Sequence, residues 1–229
     1  MENRKLSRDA EVKLALDNYK NKFDTDSEAK RYSLRHANSG KHKRELKCIK
    51  RALSDIKKNS LLLDLPCGAG RLSYVLNDLG YRVVGADYST HMIHYAQMPL
   101  VSGQKVAKNI SFEQQDVVNI KHPSNTFDVV VCNRLFHHYP ASESRRAALK
   151  ELARVSQGPV IVSFFNSNSL SAWWSKIRNT LRNKKPVDRQ PIPFQDFKKD
   201  IAACGLKIQK TYYTRFGISP QTYVKLVKA

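Results

Sequence analysis

Asp64, Gly68 and Gly70 close an apolar run, Leu61-Leu62-Leu63-Asp64-Leu65-Pro66-Cys67-Gly68-Ala69-Gly70, and this is the composition of a loop that cradles a nucleotide-like cofactor. A residue without Cβ lets the backbone turn through positive φ or approach a ligand closely. In open α/β sheets ligands sit beyond the carboxyl ends of the strands, against the N-terminus of the next helix. A second acid, Asp87, ends the apolar stretch Arg82-Val83-Val84-Gly85-Ala86, 17 residues beyond Gly70. A carboxylate there can accept from both hydroxyls of a ribose. Asp87-Tyr88-Ser89 also suits the start of a helix, because Asp and Ser are good caps, and both roles can hold at once.

The spacing excludes a dinucleotide fingerprint, since aligning Gly68 as the middle glycine puts Pro66 and Arg71 at the outer two positions. It fits acid-x-x-x-Gly-x-Gly, and over roughly residues 60 to 165 the chain resembles the class I S-adenosylmethionine-dependent methyltransferases. Pro66 stands where that family usually has glycine, which removes an N–H donor and fixes φ. The resemblance implies S-adenosylmethionine as methyl donor, S-adenosylhomocysteine as product, and no metal. It puts Asp64, Pro66, Gly68 and Gly70 in the cofactor loop, Asp87 on the ribose, and Tyr88, Ser89 and Met92 beside ribose and adenine. Met92 is equally at home on an ordinary helix face. The resemblance also implies that Asp116 meets the adenine amino group, with Val117 offering its N–H to the ring. Asn133 and Arg134 would lie beside the methionine part, and Tyr32 and Arg35 would cover the sulfonium and hold the carboxylate. For the last two, an exposed basic helix would look the same.

Elements that must position these residues can be read from periodicity. Strands are predicted at 61–65, 82–87, 110–115, 126–132, 159–165, 206–214 and 221–227. Helices are predicted near 8–22, 26–37, 41–57, 141–156 and 193–204, with Asp26-Ser27-Glu28 as a cap and Ser39-Gly40 as a break. The β and α elements alternate as a doubly wound α/β fold requires. The expectation is a mostly parallel seven-stranded sheet whose last strand is antiparallel, as the resemblance implies. Residues 1–58 form an N-terminal basic helical cap, 59–229 the cofactor domain, and 170–192 a helical lid inserted after the fifth strand.

The chain has 229 residues and is 41% hydrophobic, enough for one full core. No apolar run approaches the length of a membrane span, and the start lacks a signal-peptide stretch, so a cytoplasmic protein is expected. Cys48, Cys67, Cys132 and Cys204 are scattered without a C-x-x-C pair, which argues for reduced, buried thiols and against structural zinc. The net charge of +20 is unevenly placed. Residues 1–60 carry 17 Lys/Arg against 9 Asp/Glu, 61–169 carry 10 against 8, and 170–229 carry 13 against 3. The cofactor core is nearly neutral and the flanks are basic. An anionic partner, whether RNA, an acidic lipid surface or a phosphorylated substrate, is one reading, and plain solubility is the other.

Leu170, Trp173, Trp174, Ile177 and Leu181 fall on one helical stripe, with Lys176, Arg178, Arg182, Lys184 and Lys185 around it. Such a helix suits a peripheral membrane surface, or a lid packed on the domain or on an apolar acceptor, and the lid is favoured because intramolecular burial explains most such stripes. Phe136, Trp173 and Trp174 are the candidate acceptor-side residues. His137 and His138, just past the fourth strand, are candidate bases, or a structural pair in a strand-to-helix turn. Three functions remain open: a methyltransferase acting on a small-molecule or lipid-like acceptor, an RNA methyltransferase using the basic flanks, and a non-catalytic binding protein of the same fold.

Overall fold

The computed structural model describes residues 24–34, 39–98, 109–181 and 190–229. Two helices, α1 (Asp26–Ser33) and α2 (Gly40–Ala52), precede β1 (Leu61–Asp64), α3 (Arg71–Asp78), β2 (Arg82–Asp87), α4 (Thr90–Gln97), β3 (Ile110–Gln114) and β4 (Val129–Cys132). A 3₁₀ turn at Phe136–His138 follows, then α5 (Ser142–Val155), β5 (Val160–Phe165), α6 (Leu170–Leu181), α7 (Phe194–Ala202), β6 (Leu206–Tyr213) and β7 (Gln221–Lys228). The helix expected at 8–22 lies outside the described residues. Caps set the helix starts: the side chains of Thr25, Ser39 and Ser89 accept from the N–H of Glu28, His42 and Met92.

The sheet has seven strands in the order β3-β2-β1-β4-β5-β7-β6. β1 pairs in parallel with β2 on one side and β4 on the other, so the strand order reverses at β1 and opens a crevice beyond its carboxyl end. β7 is antiparallel to both β5 and β6, and it pairs Gln221 with Phe165 and Thr222 with Tyr213. The β6–β7 turn therefore stands at the same end of the sheet as the crevice.

Alternation along the strands sends successive residues to opposite faces. Leu63, Val130 and Val162 join Leu149, Leu152, Phe197 and Ile201 of α5 and α7 on one face, while Leu62, Val129, Val131 and Ile161 join Ile49, Leu53, Leu72 and Leu76 on the other. Thus α2 is one layer of the second core. β4 starts three residues later than its apolar run suggests, because Asp128 is used differently. Its carboxylate accepts from the Leu61 N–H at 2.6 Å and from the Gln157 amide, tying β1 to the turn before β5.

One polar cluster lies inside the α5–α7 layer. Asp200, 1% exposed, accepts from Arg145 at 2.7 Å, from Arg146 at 2.9 Å and from the Ser142 hydroxyl. Arg145 also donates to the carbonyls of Tyr139 and Pro140. The helices and the loop after β4 are thereby locked together. Three of the cysteines are buried as expected, whereas Cys204 is partly exposed at the end of α7.

Candidate active site

The loop after β1 folds as its glycines require. Gly68 has φ +55° and Gly70, the cap of α3, has φ +76°, conformations that side chains rarely adopt. A Cβ on Gly70 would sit 3.0 Å from the Phe112 ring, whereas one on Gly68 would meet nothing within 4 Å. Gly70 therefore shapes the turn, and Gly68 faces open space. The Leu65–Pro66 peptide is cis, and the Cys67 N–H donates to the Ala86 carbonyl at 2.8 Å, so the missing Pro66 donor leaves the loop anchored on β2.

Asp87 is the hinge of the site. Its two oxygens accept from the N–H of Gly68 (2.8 Å) and of Ser89 (3.1 Å), so Asp87 positions both the loop and Ser89, the residue that caps α4. The same carboxylate borders two adjoining cavities. The larger, about 850 Å³ with its open mouth, is lined by Tyr32, Pro66, Gly68, Arg71, Met92, Asn133, Arg134, His137 and His138 as well as Asp87. The second, about 400 Å³, is lined by Pro66, Tyr88, Ser89, Asp116, Val117, Leu135 and Tyr139. A carboxylate between two chambers suits the ribose of a nucleoside whose base enters one and whose side arm enters the other. A carboxylate retains lone pairs beyond the two its backbone donors use.

Asp64 is placed otherwise. It is fully buried behind the loop, lines neither cavity, and accepts from the Ser73 hydroxyl at 2.6 Å. Its other oxygen has no hydrogen-bond partner. Burial pushes its pKa up to about 7, against the Ser73 bond and with the Asp87 charge adding to the rise. Burial also lifts Asp87 to about 6, although its backbone donors pull it down. Asp64 thus acts on the loop from behind.

The floor of the larger cavity is a cross-strand network. Asn133 Oδ1 accepts from the Tyr223 hydroxyl at 3.0 Å and from Ser163 Oγ at 3.1 Å, while Ser163 Oγ accepts from the Arg134 N–H and the Gln221 amide. Asn133, its oxygen held by this network, lines the larger cavity. Arg134 is left-handed at φ +64°, and its guanidinium lies 3.3 Å from the buried Glu45 of α2. His42, one turn away on α2, is also buried, and burial with the nearby Arg71 and Arg134 charges lowers it to about 4. Ser163, Gln221, Tyr223, Glu45 and Arg71 were not singled out from the sequence. Only Arg71, in the first turn after the glycine loop, carries a local signal.

Two sequence expectations change. Phe136 is fully buried against Phe197, at 5.2 Å between ring centroids, and lines no cavity, because the 3₁₀ turn points it into the α7 layer. Trp173 and Trp174 are exposed, so the stripe of α6 is not packed on the domain at these positions. Arg35 lies outside the described residues. His137 lies flat on the buried Phe165 (4.1 Å, 6°) and tilted against His138 at 4.1 Å, and the two histidines line the larger cavity.

Asp64 carries a pH dependence. Its folded pKa of about 7 exceeds the ordinary value of 3.8, so between the two the folded chain keeps a proton that the unfolded chain has released. Stability from this group is complete at acid pH and is lost as pH rises through about 7. His42 acts in the opposite sense, costing stability below its ordinary 6.5. Comparison with Asp64→Asn cancels the histidine. The variant keeps an acceptor for Ser73, and its melting temperature gains on the parent by an amount that grows from about pH 5 to about pH 8. A gap that stays constant across that range would show that Asp64 is ionised throughout.

Comparison with known proteins agrees with this geometry. A family model described as a methyltransferase domain matches residues 62–157. A magnesium-protoporphyrin O-methyltransferase of Synechocystis is 31% identical over 165 residues, covering 68% of this chain and 69% of that protein. A probable tRNA methyltransferase 9B of Mus musculus is 30% identical over 109 residues, 47% of this chain and 22% of that one. A crystal structure of the Synechocystis magnesium protoporphyrin IX methyltransferase with bound S-adenosylhomocysteine superposes with TM-score 0.72 at 20% identity, covering 94% of this chain and all of that one. Strand order, loop and relatives place this chain in the class I S-adenosylmethionine-dependent methyltransferases.

Proposed function

We propose that the acceptor is a small or lipid-like molecule, methylated by direct displacement. The observation that carries this reading is that His137 and His138 line the larger cavity with the buried Phe165 ring stacked flat behind His137, which gives that side of the cavity an aromatic backing. Also in its favour, the relative matched over most of its length is named for a porphyrin substrate. S-adenosylmethionine supplies an electrophilic methyl group when bound, so the protein's task is mainly alignment and exclusion of water. Gly68 and Asp87 would hold the ribose side, Asp116 and Val117 the base, and Asn133 and Arg134 the amino-acid end. His137 and His138 are where a proton leaving an acceptor oxygen or nitrogen would be taken up.

Profiling acceptors with labelled methyl donor tests this directly. With an accepted substrate, His138→Ala is expected to lower kcat by about 100-fold or more while the Kd for S-adenosylhomocysteine stays unchanged. Unchanged turnover in both His137→Ala and His138→Ala would return the pair to a structural role. RNA is the second reading, favoured by the basic flanks and by the partial match to the tRNA enzyme. Methyl transfer to RNA, with retention that falls steeply with salt, would replace the first reading by the second.

A further inference from the structure

Two separate segments build one exposed apolar patch. Along α6, Leu170, Trp173 and Trp174 are 58%, 55% and 63% exposed, and on the β6–β7 turn Phe216 and Ile218 are 78% and 51% exposed. They are neighbours by construction, since the Leu170 N–H donates to the Gly217 carbonyl at 2.9 Å and the Ser171 N–H to the Ile218 carbonyl at 3.2 Å. The indoles meet edge to face at 5.4 Å, and Phe216 meets Tyr213 in the same way at 5.0 Å. Five large apolar side chains in contiguous exposure are more than a soluble surface ordinarily leaves uncovered.

Charge says what covers them. Arg178 on α6 and Arg215 on the turn are exposed beside the patch, and the stretch from 170 to 229 carries 13 Lys/Arg against 3 Asp/Glu. A second copy of this chain would bring like charges together. An anionic headgroup layer supplies the opposite charge, and its boundary with the acyl chains is where indole rings are most favourable. No helix among the described residues is long and apolar enough to cross a membrane, so the contact is with the surface.

We propose that α6 and the β6–β7 turn form a docking surface for anionic lipid bilayers. The β6–β7 turn stands at the end of the sheet where the crevice opens, so docking sets the cleft towards the bilayer. The proposal does not depend on which acceptor is methylated.

Trp173 and Trp174 are the only tryptophans of the chain, so tryptophan emission, excited at the red edge where tyrosine does not absorb, reports on this patch alone. Full-length protein is titrated with phosphatidylcholine vesicles with and without phosphatidylglycerol, followed by emission and by co-sedimentation. Expected are a blue shift and sedimentation with the anionic vesicles, both weakening with salt. Arg215→Gln should weaken partitioning by about fivefold, and Trp173→Ala with Trp174→Ala by more than about tenfold, read by sedimentation. S-adenosylhomocysteine affinity of the variants, unchanged, shows that they fold. Absence of binding to anionic vesicles overturns the proposal, as do binding that ignores vesicle charge and a blue shift seen only on self-association. Loss of cofactor binding in the parent would fall on the enzyme reading and leave the vesicle result standing.

Discussion

Asp87→Ala is expected to raise the Kd for S-adenosylmethionine and S-adenosylhomocysteine by at least about 100-fold, measured by titration calorimetry. Hydrogen bonds to a charged acceptor are worth about 1.5 to 3 kcal/mol each, and two ribose hydroxyls would lose theirs. The variant also leaves the N–H groups of Gly68 and Ser89 without their acceptor, so its melting temperature falls. Asp87→Asn separates the effects, because it keeps one oxygen as acceptor. In the parent, the carboxylate must be ionised to accept from several donors at once. Burial places its pKa at about 6, so affinity is expected to weaken as pH falls below that value, and in Asp87→Asn this weakening should vanish. An Asp87→Ala protein that binds S-adenosylhomocysteine like the parent would remove Asp87 from the ribose.

Asp200→Ala is expected to cost about 3 to 5 kcal/mol of stability, or roughly 10 °C in melting temperature. The variant leaves the Arg145 guanidinium buried between α5 and α7 with carbonyl partners alone. Denaturant and thermal melts measure it. The charge, rather than the lost volume, is held responsible, so the paired change Arg145→Met with Asp200→Leu should recover most of the loss. A double variant no more stable than Asp200→Ala would show that packing dominates. Because Arg145 also grips the Tyr139 carbonyl, and Tyr139 lines the smaller cavity, cofactor affinity should fall along with stability in the single variant.

The strands and the front of the site were legible because each is written in a short stretch of chain. The glycine loop, Asp87 and the Asp116-Val117 step follow strands whose apolar runs are unmistakable, and the structure puts all of them at one end of the sheet. What stayed hidden lies across strands. Asn133 was recognised, but its partners Ser163 and Tyr223 are 30 and 90 residues further along, with Gln221 joining through Ser163, and no local pattern pairs a side chain with a partner on another strand. Glu45 and His42 sit in a helix that the sequence marks only as part of a basic cap, although its spaced Cys48, Ile49 and Ala52 bury it against the sheet. Phe136 misled for a related reason. Its position beside two histidines suggested the cavity, while its direction was set by a 3₁₀ turn and by Phe197, 61 residues away.

The Tyr223 hydroxyl on the Asn133 side chain has a consequence for how the protein comes into being. β7 is the last strand of the sheet along the chain, yet it sits inside the sheet, between β5 and β6, and its Tyr223 holds Asn133 at the floor of the larger cavity. During synthesis every residue that faces the cofactor can be present while that floor is still missing. A nascent chain is therefore not a weak version of the finished one, because the support of the cavity arrives late, with the strand that completes the sheet.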